Sequence, residues 1–115
     1  MKIISGTKIN VLGTEYEILV RSEKDYPRLY ENFAHVDRKL KKIVIKDEKD
    51  FEDCNVTTDN IRSCQEQILK KNIIYAFLYE SGFDYNKYFG IRPETMEFLL
   101  LYFGKINDCF NTAMQ

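Results

Sequence analysis

From Asp59 or Asn60 to Gly82 the apolar residues recur at a helical period, and over the C-terminal half of that stretch they leave almost no polar side. At about a hundred degrees per residue, Ile61, Ile68, Tyr75 and Tyr79 share one face, while Ile74, Phe77 and Leu78 cover the opposite one. A helix that is apolar nearly all round must be covered by more than one partner, which predicts a position between a sheet and a second helix. Thr58, Asp59 or Asn60 can cap its start, and Gly82 can take the left-handed conformation that ends it. The second helix is expected from near Pro93, with Glu94 placed for the helix dipole. It runs through Phe98 to Phe103, and Gly104 bends or ends it.

Upstream the period changes. Ile9 and Val11, then Tyr16, Ile18 and Val20, alternate with polar residues around Gly13-Thr14, as in a half-buried β-hairpin. Ile43 and Ile45 supply a third strand. Between them, Glu23 to Phe33 can hold a short helix with Pro27 in its first turn. Asp47 to Asp59 carries six acidic residues and one Lys without an apolar period, and reads as a loop. The expectation is a single α+β domain over 1–115, strand-rich over 1–47, with an acidic loop over 48–59 and a helical part over 60–115. Its N-terminal sheet is expected to be antiparallel, with a central buried helix and a C-terminal helix packed on it.

Composition narrows the function classes. At 115 residues and 44% hydrophobic content, the chain holds enough apolar material for one modest core. Seventeen basic residues against eighteen acidic ones create no global field for nucleic acid or an anionic membrane, so neither direct nucleic-acid binding nor a membrane partner is expected. No apolar run approaches the roughly 18 to 20 residues that cross a bilayer, and Lys8 and Asn10 interrupt any signal-peptide core. Cys54, Cys64 and Cys109 are odd in number and lack C-x-x-C spacing, which suits reduced thiols in a cytoplasm. Cys64, on the central helix, reads as a small buried apolar group. His35 is the sole histidine, with no Cys beside it in sequence, and reads as structural. The five glycines form no phosphate-binding motif, and the basic run Arg38 to Lys42 reads as a solvated strand edge that discourages aggregation.

The segment Lys70-Lys71-Asn72-Ile73-Ile74-Tyr75-Ala76-Phe77-Leu78-Tyr79-Glu80-Ser81-Gly82 has the frame of a zinc-peptidase helix without its chemistry. An H-E-x-x-H helix places two imidazoles one turn apart on one metal and a Glu beside the first as general base. Here those positions hold Lys71, Asn72 and Tyr75. The chain resembles a family of small zincin-like phage and prophage proteins of low-GC Gram-positive bacteria, whose helix reads R-H-E-I-I-H-A-F-L-x-E-S-G. Ile73-Ile74, Ala76-Phe77-Leu78 and Glu80-Ser81-Gly82 stand in register with it. The later segment Glu94 to Ile106 also fits, as do Ile9 to Ile18 and Asp37 with Lys42 to Asp47. The resemblance implies a minimal zincin fold in which Glu94 occupies the place of the third, carboxylate ligand.

The residue chemistry argues against retained hydrolysis. A Lys71 ammonium has no lone pair for a metal, a Tyr75 phenol is a poor ligand at neutral pH, and the Asn72 amide cannot accept a proton. Lys71 can instead pair with Glu94 or Glu97, a salt bridge in place of a metal, with Asn72 and Tyr75 completing a polar cluster. The blander reading leaves Lys71 in solvent and Tyr75 in the core.

No cofactor and no enzymatic activity are expected. The expected function is that of a catalytically inactive phage or prophage protein that binds and inhibits a host bacterial factor. An anti-CRISPR protein acting on a CRISPR nuclease, or another anti-defence protein, is the concrete case, as a cytoplasmic monomer or weak dimer. Tyr26, Tyr30, Tyr85, Tyr88 and Phe89 are candidate partner-binding aromatics. The acidic Asp47, Glu48, Asp50, Glu52 and Asp53 are candidates for a basic partner surface. Two other classes stay open: a metalloprotein with a relocated zinc site drawing on His35, Glu94, Glu97 or the cysteines, and an oligomeric structural or assembly accessory.

Overall fold

A computed structural model describes residues 2–51, 58–82 and 93–114, with the side chains at 58, 59, 93–98 and 100 left out. Strands β1 (Thr7–Val11) and β2 (Thr14–Arg21) form the expected hairpin, with Val11 opposite Thr14 and Ile9 opposite Tyr16. The two-residue turn places both Leu12 and Gly13 at positive φ, 52° and 92°, the mirror-image turn that follows strand twist. The Gly13 N–H donates to Asn10 Oδ1 at 2.7 Å, which offsets part of the cost of holding a leucine left-handed.

Strand β4 (Lys42–Lys46) is the expected third strand, but a fourth, β3 (Ala34–Asp37), precedes it, and the sheet order is β1-β2-β4-β3. The sheet is therefore mixed rather than antiparallel: β2 and β4 run parallel, Ile18 beside Ile43 and Val20 beside Ile45. The cause is the connection after β2. Residues 22–33 cross one face of the sheet, and the chain returns as β3, antiparallel to β4. The helix expected over Glu23 to Phe33 is one 3-10 turn, Pro27–Tyr30, with Pro27 at its first position.

Helix α1 (Thr58–Glu80) begins within the range expected for its cap and ends as Gly82 turns to φ +84°. The segment read as an acidic loop contains a 3-10 turn, Glu48–Asp50. Helix α2 (Pro93–Ala113) starts at the expected proline and passes through Gly104 without ending. Ile4 N–H donates to the Ala113 carbonyl at 2.9 Å, tying the last turn of α2 to the strand side.

Both helices cover one face of the sheet, α1 over β3 and β4 and α2 over β1. Beneath them lie Ile9, Val11, Tyr16, Ile18, Ile43 and Ile45, packed with Leu69, Ile73, Ala76 and Phe77 of α1 and Ile106, Cys109 and Ala113 of α2. The buried stripe of α1 runs through Gln65, Leu69, Asn72, Ile73, Ala76 and Phe77, the i, i+4, i+7 spacing of one helix face. Ile61, Ile68, Tyr75 and Tyr79 share the expected face, but it is a half-buried flank. Phe77 against Tyr102 and the Lys70 Nζ 4.9 Å over the Phe110 ring turn the other flank toward α2. Cys64 is exposed, contrary to the buried thiol expected, because it lies off that stripe.

The second face is covered by residues 22–33 and Phe51 and holds a smaller cluster. Leu29 is fully buried and Val44 nearly so, Phe33 stacks on Phe51 at 5.1 Å, and the Lys46 ammonium meets Glu23 Oε2 at 3.2 Å.

Candidate functional site

Of the zincin-frame positions on α1, Asn72 falls in the buried stripe, Tyr75 on the half-buried flank and Lys71 in solvent. Asn72 is buried, and its side-chain amide donates to the Ile68 carbonyl at 2.7 Å, one turn back on its own helix. Lys71 is exposed, with its Nζ 5.6 Å from the centre of the half-buried Tyr75 ring. This matches neither a catalytic base facing a cleft nor a pair of ligands converging on one point. The proposed pairing of Lys71 with Glu94 or Glu97 involves side chains outside the described residues. Among those described, no three of His, Cys, Asp and Glu gather as a metal site requires, and an ammonium, an amide and a phenol do not suit zinc.

Glu80, one turn beyond Tyr75 and a little further, is the charged centre that sequence reasoning passed over. Its Oε2 accepts from the Tyr16 hydroxyl at 2.8 Å and from Lys41 Nζ at 2.9 Å. Burial pushes the Glu80 carboxyl up, but hydrogen bonds from Lys41, Tyr16 and Thr14 outweigh it and hold it below the usual range. Burial and the neighbouring carboxylate push the Tyr16 phenol far above its ordinary value, so it stays a neutral donor. Beside them the Arg38 guanidinium lies 4.3 Å from the centre of the Tyr79 ring. This cluster fastens the end of α1 to β2 and to the β3–β4 turn. Lys41 sits in that turn at φ 56°, and its carbonyl accepts from Glu17 N–H. The basic run is thus a turn with structural contacts, and the residues of β3 themselves carry no lysine or arginine.

The candidate partner-binding residues fall into two sets. Tyr30 is 58% exposed and Phe33 52%, both on the second face, with Leu40 in the turn at 65%. Tyr26 is half-buried, its ring 6.0 Å from that of His35, and burial, then Asp37, raises its phenol pKa. Arg28 Nη1 lies 3.4 Å from His35 Nε2, and burial followed by this guanidinium lowers the imidazole pKa, so His35 is neutral near pH 7. The Asp37 carboxylate accepts from the Leu40 and Lys39 N–H groups, which lowers its pKa.

The acidic set is engaged internally. Asp47 Oδ1 accepts from Lys49 N–H, Glu48 meets Arg62 Nε at 3.3 Å, and Asp50 Oδ2 accepts from Glu23 N–H at 2.9 Å. Glu52, Asp53, Tyr85, Tyr88 and Phe89 lie outside the described residues. At the opposite edge, a groove of ≈ 420 Å³ separates the hairpin from α2, bordered by Lys8, Leu12, Lys105 and Asp108. There Cys109 Sγ donates to the Asn10 carbonyl at 3.4 Å, and burial, then Asp108, raises the thiol pKa. No helix among the described residues is long and apolar enough to cross a membrane. Comparison with protein-family models, curated proteins and solved structures gives no match.

Proposed function

We propose that the chain is a zincin-like phage or prophage protein without catalysis, a cytoplasmic binder that inhibits a host bacterial factor, with an anti-CRISPR or other anti-defence role as the concrete case. The observation that carries the non-catalytic part is Asn72. Its amide is buried and bound to the Ile68 carbonyl, where a hydrolytic site needs a base open to water. The binding part draws support from the second face, where Tyr30, at the end of the 3-10 turn anchored by the buried Leu29, and Phe33, just before β3, hold large aromatic area in solvent. Rings held by a scaffold lose little entropy on binding, which suits a recognition surface.

The test is a phage infection assay in cells whose CRISPR nuclease targets the phage. Expression of the chain should restore plaques, and Tyr30→Ala with Phe33→Ala should abolish the rescue while the circular dichroism spectrum stays unchanged. Chelator-sensitive peptide hydrolysis by the purified chain would overturn the non-catalytic part. Rescue that survives both substitutions would remove the second face from the reading.

A further inference from the structure

The two edges of the sheet are treated differently. On β1 the outward Asn10 carbonyl accepts from Cys109 of α2. On β3 the Phe33 carbonyl accepts from Lys46 N–H at 2.9 Å, and Ala34 stands opposite Ile45. Antiparallel pairing alternates, so Phe33, His35 and Asp37 point their backbone groups at β4, and Ala34 and Val36 point theirs outward. Among the described residues no hydrogen bond is recorded to those four outward groups. Of the common protections of an edge strand, Ala34-His35-Val36-Asp37 has shortness but neither a lysine nor a proline within it.

We infer that β3 pairs with β3 of a second copy of this chain, antiparallel about a two-fold axis through His35, to give a continuous eight-stranded sheet. This pairing does not depend on the function proposed above. The register follows from the outward groups: only with Ala34 opposite Val36 of the second copy are all four used on each chain. The same two-fold carries the segment entering β3, with the exposed Glu31, toward the turn that leaves β3 in the second copy, with the exposed Lys39, so opposite charges approach at each end of the pair. It brings the two His35 rings together at the axis. Burial and Arg28, against the opposing pull of Asp37, keep them neutral near pH 7, so no like-charge repulsion arises.

On the helix face, the α1 flank carrying Ile68, Tyr75 and Tyr79 lies on the β3 side, since Tyr79 meets Arg38 of the β3–β4 turn and the opposite flank meets α2. Two such flanks would face each other across the axis and add apolar area to a strand of only four residues. Because the axis is perpendicular to the sheet, the Tyr30 and Phe33 surfaces of both copies lie on one side, a bivalent array.

The experiment is the mass of the full chain in solution by sedimentation across a concentration series. The parent should be a reversible dimer. Val36→Pro removes an outward N–H and leaves the β3–β4 ladder intact, so it should give a folded monomer. Glu31→Lys and Lys39→Glu should each weaken the dimer by about fivefold, and the two together should restore it. A parent that is monomeric throughout overturns the inference and leaves the edge to a partner's strand or to other residues of the chain. A dimer indifferent to Val36→Pro, or one that the double charge swap fails to restore, overturns this interface and register.

Discussion

The two faces of one sheet are covered by different means. On the helix face, two long helices bury a contiguous apolar layer in which Tyr16, Ile18, Ile43, Ile45, Leu69, Ile73 and Phe77 are all fully buried. On the other face, a twelve-residue crossing segment, 22–33, anchored by Leu29, leaves the remaining contacts to ring edges and charges: Tyr26 on His35, Phe33 on Phe51, Lys46 on Glu23. Apolar burial yields about 25 cal/mol per Å² and asks for no particular geometry, whereas a buried ion pair or an aromatic edge contributes only when its partners are aligned. The helix face therefore holds the fold. The loop face spends less on stability and keeps Tyr30 and Phe33 in solvent.

The largest expected effect tests that division. Phe77→Ala removes a fully buried ring between sheet and α2, where two rigid helices cannot close the cavity, and should cost about 4 kcal/mol. Leu29→Ala removes an equally buried side chain from beneath the crossing segment, which can settle into the space, and should cost about 2 kcal/mol. Urea unfolding of both variants measures the pair. Equal losses would mean that the crossing segment is as rigid as the helices.

A smaller effect is expected at the ion pair. The Lys46 side chain is 8% exposed and that of Glu23 25%, and Lys46 Nζ also sits 5.1 Å from the centre of the Phe33 ring. Glu23→Ala strands a nearly buried ammonium and should cost about 2 kcal/mol, less than a wholly enclosed pair because water reaches the carboxylate side. Adding Lys46→Met should return most of that loss, since the methionine keeps the apolar stem against Phe33. A double variant no more stable than Glu23→Ala would show that the loss does not come from the stranded Lys46 charge.

What the sequence disclosed follows the same division. The helix face was legible because period and burial agree over long runs: the hairpin, β4, both helices and the Gly82 stop are readable from spacing alone. The loop face was not. β3 is four residues, too few for the alternation of Ala34 and Val36 with His35 and Asp37 to stand out, and without it nothing signals that β2 and β4 run parallel. The acidic residues read as a loop because their partners, Arg62 and the Glu23 N–H, lie 14 and 27 positions away. At the candidate site, the chemistry missing from Lys71, Asn72 and Tyr75 was readable from residue type. The turn of Asn72 onto Ile68 required a rotamer, which composition does not contain.

Glu80 supplies the smallest effect and the sharpest one, because it brings a charge to the helix face. Its partners lie 64 and 39 positions earlier in the chain, so neither was visible from the helix that carries it. Burial alone would raise its pKa; the donors Lys41, Tyr16 and Thr14 reverse that and lower it from 4.5. A carboxyl depressed in the folded state binds its proton more readily when unfolded, so its contribution is complete above the unfolded value and is lost as pH falls through the folded one. Glu80→Gln keeps an oxygen for the Tyr16 hydroxyl and removes only the charge. It should cost about 1 kcal/mol at pH 7, a modest figure because the Lys41 side chain is 38% exposed. The gap between parent and variant should narrow below about pH 4.5 and close at lower pH, followed by thermal unfolding across pH 3 to 7. A gap that stays constant over that range would mean that Glu80 holds Tyr16 through shape alone, and the helix face would then owe nothing to charge.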